Sequence, residues 1–302
     1  MKHFLKRRAE HMLSSSLVGR MTQYRIRGKR LVLAYHGIVP HGEQCVGERS
    51  LFVRQRDFSD HLDVLREIAD VAPLTSLDAV GDGRPRVSIT FDDAYRGAID
   101  AGVAELVARG LPATIFVAPG RLNDHVFWWD ALAGKNGVPS NEARDYAVGT
   151  LCGVDERIRQ WATSNGIPFD DNLPDYARSA TEAELRGATS QPGITLGSHT
   201  WSHPNLAGLT PHEIRSEVVK ARSWLSDRFG EKAIPWMAYP YGIDSAAARS
   251  ALAKAGYSGA FRIVGGWHST PAFSPFSRPR FNVPAGLSAA GLRTRLVGAV
   301  LA

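Results

Sequence analysis

Short apolar runs alternate along the chain with longer segments whose apolar positions recur at helical spacing. The apolar runs are continuous, which is typical of strands covered on both faces. They predict strands at Leu31–Tyr35, Val87–Phe91, Ala113–Ala118, Ile194–Gly197, Trp236–Tyr239 and Gly259–Ile263. The segments between them predict helices at Phe58–Ile68, Ala94–Arg109, Thr181–Ala188, Pro211–Phe229 and Ser245–Ala255. This alternation indicates an α/β fold with a parallel sheet, either a barrel or a doubly wound sheet.

The segment from about residue 121 to residue 180 interrupts this alternation. It contains Phe127, Trp128 and Trp129 as well as polar stretches, so we expect a partly helical insertion between two strands and not a second domain. The three aromatic side chains have two interpretations. They could stack on sugar rings, since aromatic faces suit such contacts, or they could anchor the insertion to the rest of the domain.

Charge is unevenly distributed along the 302 residues, although the net charge of the chain is +6. Residues 1–30 carry nine Lys and Arg against one acid, a net charge of +8, whereas the remaining residues carry 27 bases and 29 acids, a net charge of −2. The body therefore gives no general argument for nucleic-acid binding. We divide the chain into a basic N-terminal extension, residues 1–30, and one α/β domain, residues 31–302.

The N-terminal extension has no apolar run long enough for a signal peptide or a membrane span, so we expect a cytoplasmic protein. Residues 1–28 are a candidate for peripheral membrane contact, because several apolar residues would share one helical face with Lys and Arg elsewhere. The alternative is a solvated extension or a helix packed on the domain. The two cysteines, Cys45 and Cys152, are far apart and form no disulfide framework or metal motif.

Two adjacent carboxylates, Asp92 and Asp93, follow the predicted strand Val87–Phe91. Enzymes with parallel sheets collect catalytic groups at the carboxyl ends of their strands. Two neighbouring carboxylates repel each other, so one of them gains from a bound cation. The alternative is a helix N-cap, because a helical segment is predicted from Ala94 and Asp is a favoured cap residue.

Two imidazoles, His199 and His203, follow the predicted strand Ile194–Gly197. A separation of four lets both rings face one point if the intervening turn is helical. Two His and one carboxylate can hold a divalent metal and leave positions open, and Asp93 would supply that carboxylate. The second carboxylate, Asp92, is then free to act as a general base.

Two further strand ends carry weaker signals. The predicted strand Trp236–Tyr239 leads into Pro240-Tyr241-Gly242, a tight turn in which the backbone N–H of Tyr241 could point into the site and stabilise an oxyanion. An ordinary strand-to-helix turn is the alternative. His36 follows Leu31–Tyr35 and could reach the same face, although a structural hydrogen-bonding role would also explain it.

The chain resembles the polysaccharide deacetylases of carbohydrate esterase family 4, the NodB-homology domain, from about Leu31 to Pro284. Three motifs carry the resemblance, in this order: Thr90-Phe91-Asp92-Asp93, Ser198-His199-Thr200 followed by His203-Pro204, and Tyr239-Pro240-Tyr241-Gly242. The resemblance implies a distorted (β/α)7 barrel and metal-dependent removal of N-acetyl groups from amino-sugar polymers. It is greatest to the branch associated with exopolysaccharide.

The resemblance also implies roles for particular residues. Asp92 resembles the general base, and Asp93, His199 and His203 resemble the ligands of a divalent metal, with Zn²⁺ preferred over Co²⁺, Ni²⁺ or Mn²⁺. Tyr241 matches the position whose backbone N–H contributes to the oxyanion site.

Two features of the family pattern are missing. Ala238 stands where many members have an Arg that orients the base, and either Arg278 or Arg280 is a candidate replacement. The late Leu-x-His motif that supplies a general acid has no clear counterpart, and His36 is the candidate for that role.

The sequence thus predicts a metal-dependent hydrolase that deacetylates an amino-sugar polysaccharide or its precursor, with an N-acetylated glycan as its substrate. One alternative is an amidase that uses the same ligands on a different amide or imide. Another is a non-catalytic carbohydrate-binding protein on the same fold.

Overall fold

The computed structural model describes residues 26–79, 83–133, 137–269 and 274–298. Seven parallel strands close into a barrel, in the order β1, β10, β9, β8, β7, β6, β5 and back to β1. The strands are β1 (Arg30–Tyr35), β2 (Gly37–Val39), β3 (Phe52–Arg54), β4 (Asp70–Val71), β5 (Arg86–Phe91), β6 (Ala113–Val117), β7 (Ile194–Ser198), β8 (Ala233–Ala238), β9 (Gly259–Ile263) and β10 (Arg278–Asn282). The prediction of a distorted (β/α)7 barrel is confirmed.

Helices follow most barrel strands and cover the outside of the barrel. They are α1 (Gln55–Ile68), α2 (Val103–Val107), α3 (Trp128–Ala133), α4 (Asn141–Asp145), α5 (Asp155–Ser164), α6 (Glu182–Ser190), α7 (Pro211–Phe229), α8 (Ala246–Lys254) and α9 (Ala289–Gly298). Helix α7 has the predicted bounds, because the Thr210 side chain and Glu213 form a reciprocal cap at its start. Just after α8, Gly256 has a φ of 74°, a left-handed conformation that is common where a helix ends.

Strand register brings distant motifs to the same level of the barrel. In the β1–β5 pair, Tyr35 lies opposite Phe91, so His36 and Asp92 leave the two strands side by side. In the β6–β7 pair, Val117 lies opposite Ser198, immediately before His199. The carboxyl ends of β1, β5 and β7 therefore meet at one rim of the barrel.

The main hydrophobic core lies between the barrel and its helices. Strand residues such as Leu33, Ile89, Ile115 and Leu196 are almost completely buried, and they pack with the apolar faces of the surrounding helices. This burial on both faces of the sheet explains why the strands appear in the sequence as continuous apolar runs.

Two predicted elements differ most from the observed ones, and one barrel strand was not predicted. The predicted helix Ala94–Arg109 does not include Ala94, which has a φ of 54°; a π-helical segment at Ala98–Gly102 leads into α2 instead. Strand β8 begins and ends earlier than predicted. The seventh barrel strand, β10, was not predicted, because its two Arg and one Pro do not form an apolar run.

The segment between β6 and β7 is partly helical, as predicted, and contains α3, α4 and α5. Phe127, Trp128 and Trp129 are almost completely buried, and they form a second apolar cluster with residues of the β2–β3 region. The anchoring interpretation of the three aromatic residues therefore holds.

The basic extension is mostly outside the described residues, which begin at Ile26, so the candidate membrane contact of residues 1–28 lies there too. In the part of the chain that the structure describes, no helix combines the length and the apolar character needed to cross a bilayer. Cys45 and Cys152 are free thiols.

Replacing the cap of α7 tests how much this local signal contributes to stability. In Thr210→Ala, two hydrogen bonds of the cap are lost: the hydroxyl no longer accepts from the Glu213 N–H or donates to the Glu213 carboxylate. We expect a loss of about 1 kcal/mol in the free energy of unfolding, measured by urea denaturation. Thr163→Ala, an exposed site within α5, is the control and should cost less. Equal losses would contradict the capping role.

Candidate metal centre and active site

The predicted site residues lie together at the carboxyl rim of the barrel. His36, Asp92, Asp93, His203 and Tyr241 contribute to the lining of one cavity of about 240 Å³, together with His199. These residues come from the ends of β1, β5, β7 and β8, which are far apart in sequence. The structure thus brings every predicted catalytic residue and metal ligand to a single place.

A reversal of the backbone after β5 separates the two carboxylates. The Asp92 N–H still donates to the Tyr35 carbonyl at 2.9 Å, so Asp92 continues the sheet ladder. Asp93 and Ala94 then adopt positive φ values of 68° and 54°. This turn directs the Asp93 side chain toward the His residues, and it shows that the simple helix-cap interpretation of the Asp pair was wrong.

Asp93, His199 and His203 form a buried group that could hold a metal ion, at the positions where the sequence predicts one. Asp93 Oδ1 lies 3.5 Å from His199 Nε2 and 3.2 Å from His203 Nε2. One ligand atom from each residue lies within 4.8 Å of the others, and all three residues are buried. Two neutral imidazoles and one carboxylate are a donor set suited to Zn²⁺ and similar divalent ions.

A hydrogen bond fixes the tautomer of His199. Its Nδ1 lies 2.7 Å from the Ala238 carbonyl oxygen, which can only accept, so Nδ1 carries the proton. The lone pair of the neutral ring is therefore on Nε2, the atom that faces Asp93. Such a bond from the distal nitrogen of a ligating His to a carbonyl is typical of metal centres.

The loop between the two His residues is not the helical turn that we expected. Thr200 and His203 have φ values of 65° and 62°, and this irregular loop places the two ring centroids 4.6 Å apart. The Thr200 side chain accepts a hydrogen bond of 3.0 Å from the His203 N–H and so helps to set the turn. The rings face one point as predicted, but by a different backbone path.

The three residues fit a divalent cation by their charge and by one unsatisfied atom. Asp93 Oδ1, the oxygen that lies near both imidazoles, is buried without a hydrogen-bond partner among the described residues. Burial lowers the pKa of His199 and lowers the pKa of His203 to about 3, so both imidazoles are held neutral, as ligation requires. Burial also raises the pKa of Asp93. A cation between these side chains would neutralise the buried Asp93 carboxylate and give its Oδ1 atom a partner.

The second carboxylate, Asp92, is paired with a buried guanidinium. Arg280 Nη1 and Nη2 donate to the two Asp92 oxygens, each at 2.7 Å, and Arg280 is completely buried. Burial alone would raise the pKa of Asp92, but the charge of Arg280 and its hydrogen bonds outweigh burial and hold that pKa below its usual range. Asp92 is therefore ionised.

Of the two candidate arginines, Arg280 occupies the site and Arg278 does not. Arg278 instead pairs with Asp78, at 2.6 and 2.7 Å, and packs over Trp236. Residues two apart on a strand share one face of the sheet, so the two side chains differ in their level along β10: Arg278 begins the strand, whereas Arg280 lies two residues nearer the carboxyl rim. Because β10 neighbours β1, Arg280 comes within reach of Asp92 on β5.

His36 and Tyr241 lie on the cavity wall, as expected. His36 Nε2 is 3.9 Å from Asp92 Oδ2, and burial lowers the pKa of His36 against the opposing effect of the two carboxylates. Tyr241 has a φ of 58°, and its hydroxyl accepts a hydrogen bond of 3.1 Å from Trp128 Nε1. The Tyr241 side chain is therefore used in packing, which leaves its backbone as the part that could serve a substrate.

Two aromatic residues of the insertion close the cavity from the side. The Trp129 ring lies 4.8 Å from the His203 ring and 6.1 Å from that of Tyr241, and Trp128 also lines the cavity. These contacts give the metal-ligating group a low-polarity wall, which strengthens electrostatic interactions inside it. The sequence identified the aromatic cluster but did not predict its contact with His203, one of the candidate metal ligands.

Comparison with known proteins agrees with this geometry. A family model described as "Polysaccharide deacetylase" matches residues 79–260, more than half of the chain. The match includes both carboxylates and both His residues of the site but ends before β10 and Arg280.

Three solved structures show the same fold at low sequence identity. The Streptococcus pyogenes deacetylase PplD, in complex with acetate, is 17% identical, with a TM-score of 0.60 over 88% of this chain and 97% of that one. IcaB from Ammonifex degensii is 16% identical, with a TM-score of 0.61 over 91% and 98% of the two chains. The BpsB deacetylase domain from Bordetella bronchiseptica is 16% identical, with a TM-score of 0.54 over 85% and 97%.

The buried ion pair makes a stability prediction with a matched control. In Arg280→Met the side-chain stem remains, but Asp92 is left as an uncompensated buried charge, which costs about 3–5 kcal/mol of unfolding free energy. In Arg278→Met, the partner Asp78 is 44% exposed and can be solvated, so the loss should be smaller. Urea denaturation of both variants measures the difference, and equal losses would contradict the assignment of Arg280.

Proposed function

Because the chain belongs to the polysaccharide deacetylase family, we propose that it removes N-acetyl groups from an amino-sugar polysaccharide by metal-dependent hydrolysis. One observation carries this proposal. A buried group of one carboxylate and two imidazoles stands beside a second carboxylate, Asp92, that a guanidinium keeps ionised. Ligands and base are thus separate groups in one cavity.

Asp93, His199 and His203 would hold the metal, with Zn²⁺ preferred and Co²⁺, Ni²⁺ or Mn²⁺ as alternatives. The donor set supports an ion of this group, since imidazole nitrogen and carboxylate oxygen suit all four. When bound, the metal would supply Lewis acidity that polarises the acetyl carbonyl and activates water.

Asp92 would act as the general base that takes a proton from the attacking water. Arg280 supports this role in two ways: it keeps the carboxylate ionised, and its two parallel hydrogen bonds fix the carboxylate plane. A base held in this way needs no rearrangement during the reaction.

His36 would donate a proton to the leaving amine. Its Nε2 is 3.9 Å from Asp92 Oδ2, so a proton taken up by Asp92 could reach His36 through one water. This short route could replace the missing late His of the family pattern.

The backbone N–H of Tyr241 would stabilise the oxyanion that forms on the acetyl carbonyl. The left-handed conformation of Tyr241, at the rim of the cavity, supports this assignment. A donor of this kind contributes roughly 3–4 kcal/mol to the stability of the transition state.

We further propose that the substrate is an exopolysaccharide or its precursor. Similar structures include IcaB and the BpsB deacetylase domain, and the fold likeness covers most of each chain. The cavity contains aromatic side chains beside polar groups, which suits a sugar that carries an amide.

Metal content and acetate release test the reaction class together. Purified protein should contain about one divalent metal per chain, and it should release acetate from an N-acetylglucosamine oligomer in a chelator-sensitive way. Metal without acetate release would favour an amidase that acts on a different amide. Neither metal nor release, even after addition of Zn²⁺ or Co²⁺, would favour a non-catalytic carbohydrate-binding protein.

Two substitutions separate the base from the metal ligands. Asp92→Asn should retain the metal but lose turnover by about 100-fold or more, since a general base contributes about 10²–10⁴-fold. His199→Ala should lose both the metal and turnover. Metal content by elemental analysis and acetate release measure the two effects. A near-normal rate in Asp92→Asn would contradict the assignment of the base.

A further inference from the structure

The loop that joins the two proposed His ligands depends on contacts from outside it. Thr200 and His203 both have positive φ values, 65° and 62°, although neither is Gly. Such conformations are intrinsically unfavourable for residues with a side chain and persist only where neighbouring groups hold them. His199 is held by its own hydrogen bonds to the Val117 and Ala238 carbonyls, so the contacts that hold this loop set the position of His203 relative to His199.

Glu217, on helix α7, makes the main contacts with the backbone N–H groups of this loop. Its Oε2 accepts hydrogen bonds from the N–H groups of Trp201 and Ser202, at 2.9 and 2.8 Å. Its Oε1 accepts from the Ser202 hydroxyl at 2.7 Å. One carboxylate thus holds two consecutive backbone donors and a side chain at the midpoint between the ligands. Hydrogen bonds to an ionised acceptor are stronger than those between neutral groups.

Other contacts hold the opposite side of the loop. The Trp201 carbonyl accepts from the Gly120 N–H at 2.8 Å, and the Ser202 carbonyl accepts from Arg121 Nε at 3.1 Å. Lys220, one turn beyond Glu217 on α7, places its Nζ 3.8 Å from the centre of the Trp201 ring. The carbonyls are therefore fixed from the β6 side, whereas the N–H groups of Trp201 and Ser202 are fixed by Glu217.

We propose that Glu217 is a positioning residue for the metal centre: its carboxylate fixes the loop and thereby the approach of His203 to Asp93 and His199. This inference rests on the proposed function, since it takes these three residues as the metal ligands. Glu217 lies outside the cavity lining and does not itself contact the ligand atoms. Its effect on metal affinity passes through the backbone of the loop.

Three substitutions of Glu217 distinguish shape from charge. Glu217→Ala removes all three hydrogen bonds, and Glu217→Asp keeps the charge but is one methylene too short to reach both N–H groups. Glu217→Gln keeps the length, because its oxygen can accept from both N–H groups while its amide donates to the Ser202 hydroxyl. Asp227→Ala, an exposed position near the end of the same helix, is the matched control.

The experiment measures the Zn²⁺ dissociation constant by competition with a chelating dye, and the visible spectrum of the Co²⁺-loaded protein. We expect affinity to fall about 10–100-fold in the Ala and Asp variants, with an altered Co²⁺ spectrum, as is typical when groups that orient ligands are removed. The Gln variant and Asp227→Ala should remain close to the wild type.

Unchanged Zn²⁺ affinity in folded Glu217→Ala would overturn the inference, and so would an equal loss of affinity in Asp227→Ala. If Glu217→Ala does not fold, the comparison of Asp with Gln decides, and equal affinities in these two would overturn it. A wild-type protein that binds neither Zn²⁺ nor Co²⁺ would contradict the proposed function instead, so the two failures are distinguishable.

Discussion

Asp92 and Asp93 can share one buried site because a fixed cation, Arg280, neutralises the first of them. Two adjacent buried carboxylates would otherwise repel each other, and burial would favour their protonated forms. Arg280 binds both oxygens of Asp92 and leaves Asp93 to face the two imidazoles. The proposed division into a base and a metal ligand therefore rests on one bidentate ion pair. This pair depends on barrel closure, because β1 lies between β10 and β5 and pairs with both.

Backbone turns give the site the rest of its geometry. Asp93, Thr200, His203 and Tyr241 all have positive φ values, and each follows the carboxyl end of a barrel strand. The barrel fixes where each strand ends, but a left-handed residue decides in which direction the next side chain points. Since such residues are costly unless they are held, the site requires supporting contacts such as those of Glu217 and Thr200.

The sequence predicts those parts of the structure that depend on local pattern. Continuous apolar runs identified six barrel strands, and the position of Asp93, His199 and His203 after strand ends identified the cluster that the structure shows. Strand β10 was missed because Arg278, Pro279 and Arg280 do not form an apolar run, and the choice between the two Arg depends on their level along this strand, which the local pattern does not give. The non-helical path from His199 to His203 was also missed, because it is set partly by groups on α7 and just after β6 that lie outside the motif.

The insertion between β6 and β7 is part of the site for a physical reason. Tyr95, just after the Asp pair, donates a hydrogen bond of 2.5 Å to buried Asp130 and accepts one of 2.8 Å from Trp129. Burial raises the pKa of Asp130 to about 8, and the backbone N–H of Glu48 donates to its other oxygen. The network thus ties the turn that carries Asp93 to the aromatic wall beside His203. Any displacement of the insertion would move that wall and the metal-ligating group together, so the two regions must be treated as one unit.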